Sequence, residues 1–314
     1  MLTKSGSEAE DTSMCAQGIW QSSYMVAVYS SALSFGGSLG AAWHSLMRRP
    51  SLYRVLGLVL TLCQGSAMAA QAALEGAERS APVECVALLH GLGRTHRSMA
   101  DMAEALQAAG YATVSIDYPS REQPIEALAD SAVPDSIERC EQLGADRIDF
   151  VTHSMGGILL RYYLARHRVA LLGRVVMLSP PNRGSEVTDA LRNDALYLWY
   201  NGPAGQQLGT DPASLPSRLG PVEFPLGVIT GDRVAFYDLW LGRMIPGPND
   251  GKVSVARAQV EGMTDFLVLP YGHTFIMDEP EVISQTLHFL RHGRFRHDEA
   301  APQDPGSTVD DQHD

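Results

Sequence analysis

A serine set among small residues, between an apolar run and a helical stretch, is where the chemistry of this chain concentrates. Thr152-His153-Ser154-Met155-Gly156-Gly157 follows Ile148-Asp149-Phe150-Val151 and opens a helix-patterned segment from Gly156 to His167. A serine on a sharp strand-to-helix turn has its Oγ pushed out at the carboxyl edge of a sheet, and Gly156 lets that turn close without a Cβ clash. The free N–H groups and dipole at the start of the helix favour negative charge at the same place. A serine hydroxyl is a poor nucleophile at neutral pH, so it needs a base within hydrogen-bond reach and a carboxylate to orient that base. A second segment, His90-Gly91-Leu92-Gly93-Arg94, stands directly after the apolar run Val86 to Leu89. Its glycines let the main chain turn inward; read blandly, it is a tight turn between a strand and a helix.

Positioning such a serine takes a sheet. From residue 84 the chain alternates short β-rich runs with helical stretches: Glu84 to Leu89, Met99 to Ala109, Ala112 to Asp117, Pro124 to Leu143, Arg147 to Thr152 and Gly156 to His167. Runs at Arg174 to Leu178, Pro225 to Thr230 and Asp265 to Leu269, then an amphipathic helix from Pro280 to Arg291, continue the rhythm. That alternation predicts an α/β domain over residues 80–296, with a mostly parallel central sheet and helices on both faces. A longer excursion at 185–222, containing Leu196-Tyr197-Leu198-Trp199-Tyr200, falls on a connection after a strand, where open α/β sheets place their ligand sites. It reads as a short cap or lid over the site, or else as an aromatic patch that completes the core.

These motifs in this order resemble the α/β-hydrolase superfamily, most closely its bacterial lipases and esterases, over about residues 84–292. Thr152 stands where the superfamily usually has glycine, a position at which some lipase-like members carry Ala or Thr. The resemblance implies the α/β-hydrolase fold and the chain order nucleophile, acid, histidine. Ser154 is then the nucleophile. His273 is the base, because it alone among the downstream histidines follows a late strand on a glycine-containing loop; His288 and His292 fall in the final helix. For the acid, Asp250 in Asn249-Asp250-Gly251-Lys252-Val253 matches the lipase-like Asp-Gly-x-Val pattern, while the alternative, Asp232, has Arg233 beside it as a partner. The resemblance also implies that the backbone N–H groups of Leu92 and Met155 hold an oxyanion. His90, Gly91, His153, Asn182, Tyr197 and Trp199 become candidates for lining the substrate pocket, with Ser185 as a helix N-cap.

The activity so implied is hydrolysis of carboxylic esters, on acyl lipids, through an acyl-enzyme, with no cofactor and no metal. An acyltransferase or thioesterase would use the same constellation, and a catalytically silent hydrolase-fold protein that binds a lipid or protein is the reading from another class. Contact with a membrane surface is compatible with a lipid substrate.

Composition sets the frame. The 314 residues are 45% hydrophobic and 19% charged, enough for one large core, and the formal net charge is −12. An acidic chain without a basic stripe argues against nucleic-acid binding. Much of the excess sits in the tail 297–314, where Asp298, Glu299, Asp304, Asp310, Asp311 and Asp314 meet no Lys or Arg, and which is expected to be disordered. Near the other end, Arg48, Arg49 and Arg54 lead into the apolar run Val55 to Leu62 and then Ala67-Met68-Ala69, the layout of a signal peptide over 47–69 and of an exported, periplasmic or secreted protein. Residues 1–46 then read as an upstream extension, with Met47 as the true start; alternatively the uncharged stretch Ile19 to Trp43 anchors the protein in a membrane. Removing 1–69 leaves Cys85 and Cys140 as the remaining cysteines, either a disulfide or two buried thiols.

Overall fold

The computed structural model describes residues 82–297. The expected N-terminal extension, signal peptide and, but for His297, acidic tail lie outside the described residues. Six strands, β1 (Glu84–Leu89), β2 (Ala112–Ile116), β3 (Arg147–His153), β4 (Leu172–Leu178), β5 (Leu226–Gly231) and β6 (Asp265–Leu269), form one sheet in the order β2-β1-β3-β4-β5-β6. Every pairing among the described strands is parallel, so the expectation of a mostly parallel sheet is met in full.

The strands are largely apolar because both faces are covered, and side-chain alternation sorts them between two cores. Cys85, Ala87 and Leu89 of β1 join Phe150 of β3 in a core shared with α2 (Ile125–Gln142) and α3 (Met155–Leu164). Val86 and Leu88 join Val151 and Val176 in a second core on the opposite face, closed by α1 (Ala100–Ala108) and the C-terminal helix α9 (Pro280–His292). Phe150 and Phe289, one in each core, are fully buried. Truncating either to Ala would cost about 3–5 kcal/mol.

Between β4 and β5 the chain leaves the sheet for α4 (Glu186–Ala190), α5 (Ala195–Gln206) and α6 (Leu215–Arg218). Between β5 and β6 it forms a 3-10 turn at Phe236–Asp238, α7 (Leu239–Gly242) and α8 (Val255–Ala258). A disulfide joins Cys85 of β1 to Cys140 of α2, 55 residues apart, which settles the alternative the sequence left open. Closing a loop of that length contributes about 4 kcal/mol through the unfolded chain.

The register fixes where the loops meet. Leu89 of β1 pairs with Thr152 of β3, so the two strands end level and the His90 and Ser154 turns emerge side by side at the carboxyl edge. Because β2 lies outside β1 while β3 and its successors lie on the other side, these two turns flank the point where the strand order reverses, the place at which such sheets bind ligands.

Candidate active site

Ser154 sits between the last residue of β3 and the first of α3 with φ 52° and ψ −123°, a left-handed conformation rarely tolerated by a residue with a Cβ. Neighbouring backbone holds it there. The Ser154 N–H donates to the Leu178 carbonyl at the end of β4 over 2.9 Å. A Cβ on Gly156 would lie 2.6 Å from the Leu89 oxygen and 2.8 Å from the His90 oxygen, so only glycine lets the helix start this close to the neighbouring loop.

The histidine and carboxylate come from the far side of the sheet. His273 opens a 3-10 turn (His273–Asp278) just after β6, and Asp250 lies between α7 and α8. The Ser154 Oγ and His273 Nε2 are 3.0 Å apart, and His273 Nδ1 is 2.9 Å from Asp250 Oδ2. A backbone bond from the His273 N–H to the Asp250 carbonyl, 2.9 Å, ties the two residues a second time. Asp250 is fully buried; its Oδ1 accepts from the N–H groups of Lys252 and Val253 at 2.9 and 2.8 Å. Burial pushes this carboxyl up, but the neighbouring His273 and the bonds from His273, Val253 and Lys252 together hold it below its ordinary value. Asp232, the alternative acid, is exposed and lies beside Arg233 at 3.5 Å.

The serine and histidine open onto a cavity of about 740 Å³, walled by both excursions from the sheet. Leu92 lines it, and among the described residues the backbone N–H groups of Leu92 and Met155 donate to no protein acceptor. The Gly91 carbonyl is turned away, accepting from the Arg94 N–H at 3.3 Å and from His90 Nδ1 at 2.9 Å. His153 and Tyr197 line the cavity. Of these, His153 is buried, and burial, with His273 next to it, holds its imidazole well below the ordinary histidine value.

Four expected pocket residues stand elsewhere. His90 turns back behind its loop, stacked on Tyr118 at 3.9 Å, and its backbone carbonyl accepts from the Tyr118 hydroxyl. Gly91 abuts His153, where a Cβ would lie 2.8 Å from Nδ1, so it makes room and lines nothing. Asn182 is buried in the fold: its Nδ2 donates to the Ala258 carbonyl at 2.7 Å, and its own carbonyl accepts from the buried Arg161 guanidinium at 2.8 Å. Trp199 is 77% exposed, because helical spacing turns Leu196, Tyr197, Tyr200 and Asn201 of α5 toward the cavity and leaves position 199 on another face. Ser185 caps α4 as expected, its hydroxyl accepting from the Val187 N–H.

Several lining residues carried no assignment in the sequence: Arg94, Asp238, Trp240, Lys252 and Thr274. Arg94 and Lys252 belong to the two motif loops themselves, and that position was the signal that could have found them. Asp238 and Trp240 lie on a connection without a motif. Among the described residues no cluster of His, Cys, Asp or Glu has the makings of a metal site.

A wholly parallel sheet covered on both faces, a strained serine after its third strand, and a histidine and aspartate reaching it from later loops define an α/β-hydrolase architecture. The chain belongs to the alpha/beta hydrolase family, whose model matches residues 86–301. A triacylglycerol lipase from Pseudomonas fragi is 32% identical over 113 residues, covering 35% of this chain and 38% of that relative's length. The solved Bacillus licheniformis lipase BlEst2 in mature form superposes with a TM-score of 0.54 at 19% identity, over 68% of this chain and 94% of that one. Its propeptide form superposes with a TM-score of 0.56 at 20% identity, over 71% and 54%. At these identities the two structures establish the common fold.

Proposed function

We propose that this protein is an exported serine hydrolase that cleaves carboxylic esters of acyl lipids through an acyl-enzyme on Ser154. The observation that carries the proposal is the unbroken chain of hydrogen bonds from Ser154 Oγ through His273 to buried Asp250, at the wall of a cavity large enough for an acyl chain. Ser154 Oγ attacks the ester carbonyl as its proton passes to His273 Nε2. Asp250 orients the imidazole and stabilises its positive charge. The carbonyl oxygen, now negative, takes the unused N–H groups of Leu92 and Met155, where losing one donor costs on the order of 100-fold in rate. Collapse of the tetrahedral intermediate expels the alcohol, which takes the proton from His273. Water, deprotonated by the same histidine, then releases the acid and restores Ser154.

Two further observations support the lipid and export parts of this reading. Leu196, Trp199 and Tyr200 on one excursion, and Phe236, Leu239 and Trp240 on the other, are exposed on the segments that wall the cavity, and large apolar side chains exposed around its mouth suit contact with a lipid surface. The disulfide suits the oxidising compartment to which a signal peptide at 47–69 would deliver the chain.

A fluorophosphonate probe tests the central claim directly. Wild-type protein should be labelled covalently, and Ser154→Ala and His273→Ala should not. A folded wild type that stays unlabelled would point to a non-catalytic binding protein.

A further inference from the structure

Two cations share the cavity with the serine. Arg94, two residues beyond Leu92, and Lys252, two beyond Asp250, both line it, and both reach the residue that follows the base. Arg94 Nη2 donates to the Thr274 carbonyl at 2.6 Å, and Lys252 Nζ donates to Thr274 Oγ1 at 3.1 Å. The Thr274 hydroxyl in turn donates to Asp238 Oδ2 at 3.0 Å, so one carboxylate is linked to the lysine through the threonine. Among the described residues neither Arg94 nor Lys252 has a carboxylate within salt-bridge reach.

Carboxylates act on both cations from a distance, Asp238 and Asp250 on Lys252 and Asp278 on Arg94, yet none closes to an ion pair with either. The remaining acid lining the cavity, Asp194, is exposed and acts as the N-cap of α5, accepting from the Tyr197 N–H at 2.8 Å. Burial, with Arg94 nearby, depresses the Lys252 ammonium below its ordinary value, against the opposing pull of Asp238 and Asp250. A half-buried charge of this kind costs free energy unless something anionic meets it, and a guanidinium and an ammonium side by side are donors matched to an oxyanion.

We infer that Arg94 and Lys252 form a recognition site for a singly charged oxyanion, carboxylate or phosphodiester, carried on the alcohol part of the ester. The inference rests on the hydrolase reading above, and the side is set by geometry. Both cations converge on Thr274, the neighbour of His273, and His273 delivers the proton to the departing alcohol. An anion a few atoms from the alcohol oxygen meets the two cations while the ester carbonyl lies against the Leu92 and Met155 amides. The acyl chain then occupies the apolar wall formed by Leu196, Tyr197 and Leu241.

Butyrate esters that differ in the alcohol alone test this: propyl butyrate, 3-(butyryloxy)propanoate, 2-(butyryloxy)ethyl methyl phosphate and the cationic butyrylcholine. Wild type should show kcat/KM at least tenfold higher on the two anionic esters than on propyl butyrate, with butyrylcholine lowest and the gain residing in KM. Arg94→Gln and Lys252→Gln should each shrink the ratio of anionic to neutral kcat/KM toward one. Arg168→Gln, on an exposed arginine outside the cavity, should keep it. The ratio cancels any partial loss of folded protein. Whichever anionic ester leads distinguishes a phosphodiester headgroup from a hydroxy-acid carboxylate, and either supports the site. Equal rates on charged and neutral esters in wild type, or variants that lower all esters in proportion, would overturn the inference and leave the hydrolase reading standing. No turnover of any ester by folded wild type would remove both.

Discussion

The Nε2–H of His153 donates to the backbone carbonyl of His273 over 3.0 Å, so the residue just before the serine holds the residue that faces it. The bond fixes the tautomer: Nε2 carries the proton, and the bare Nδ1 faces Gly91 without a hydrogen-bond partner. Two histidines thus lie with ring centroids 5.0 Å apart, one carrying the proton in the proposed cycle and the other kept neutral as its support. A charged His153 would repel His273 when the latter accepts a proton. Its burial prevents this.

That arrangement makes folding sensitive to mild acid. His153 and His90 are both held below the ordinary histidine value of 6.5, chiefly by burial. Between 6.5 and their folded values the unfolded chain binds protons that the folded one refuses, so their contribution is whole above pH 6.5 and is lost as pH falls below it. Asp250, held below its ordinary 3.8, adds a second loss as pH falls below about 4. Thermal unfolding from pH 8 to 4 should show Tm falling from about pH 6.5 downward, and His153→Gln should flatten the first part of that descent. An identical slope in the variant would remove His153 as its source.

Exchanging the two candidate acids for their amides separates a working carboxylate from a bystander. Asp250→Asn should lower kcat on a soluble ester by about 10⁴-fold, because an amide cannot stabilise the imidazolium. Asp232→Asn, on an exposed side chain paired with Arg233, should change kcat/KM by less than about twofold. Steady-state kinetics on both variants, with circular dichroism to establish folding, decides the point.

Gly156 tests the elbow as a piece of packing. The Cβ of Gly156→Ala would press on the carbonyl oxygens of Leu89 and His90, and backbone cannot move aside as a flexible side chain can. Urea denaturation should show a loss of about 1–3 kcal/mol, with kcat reduced as well, since the same shift displaces the Met155 amide.

Much of this arrangement was legible in advance, and where reading failed the reason is physical. The strands were legible because a sheet covered on both faces is largely apolar, Ser154 and His273 because their loops follow strands, and Asp250 because its segment resembles the lipase-like Asp-Gly-x-Val pattern. Leu196 to Tyr200 is apolar all round, so no periodicity says which side of α5 turns inward, and Trp199 was placed in the pocket that Tyr200 lines. At His90 the backbone of the loop borders the site, and nothing in the sequence shows the imidazole folding back on Tyr118. Asn182 was legible as part of the loop after β4, but not as the partner of Arg161, which lies on a different element. The Arg94–Thr274–Lys252 grouping joins positions far apart in the chain and exists only once the sheet has formed.

The bond between Cys85 and Cys140 also decides how the protein fails. It turns the stretch between them, with the Leu92 loop and the strand at the sheet's edge inside it, into a closed ring, while Ser154, Asp250 and His273 all lie beyond it. One cut by a protease anywhere in that ring leaves two fragments that remain a single molecule, with the Leu92 loop still tethered to the half bearing Ser154. A nicked molecule so held keeps its parts together and can stay in service.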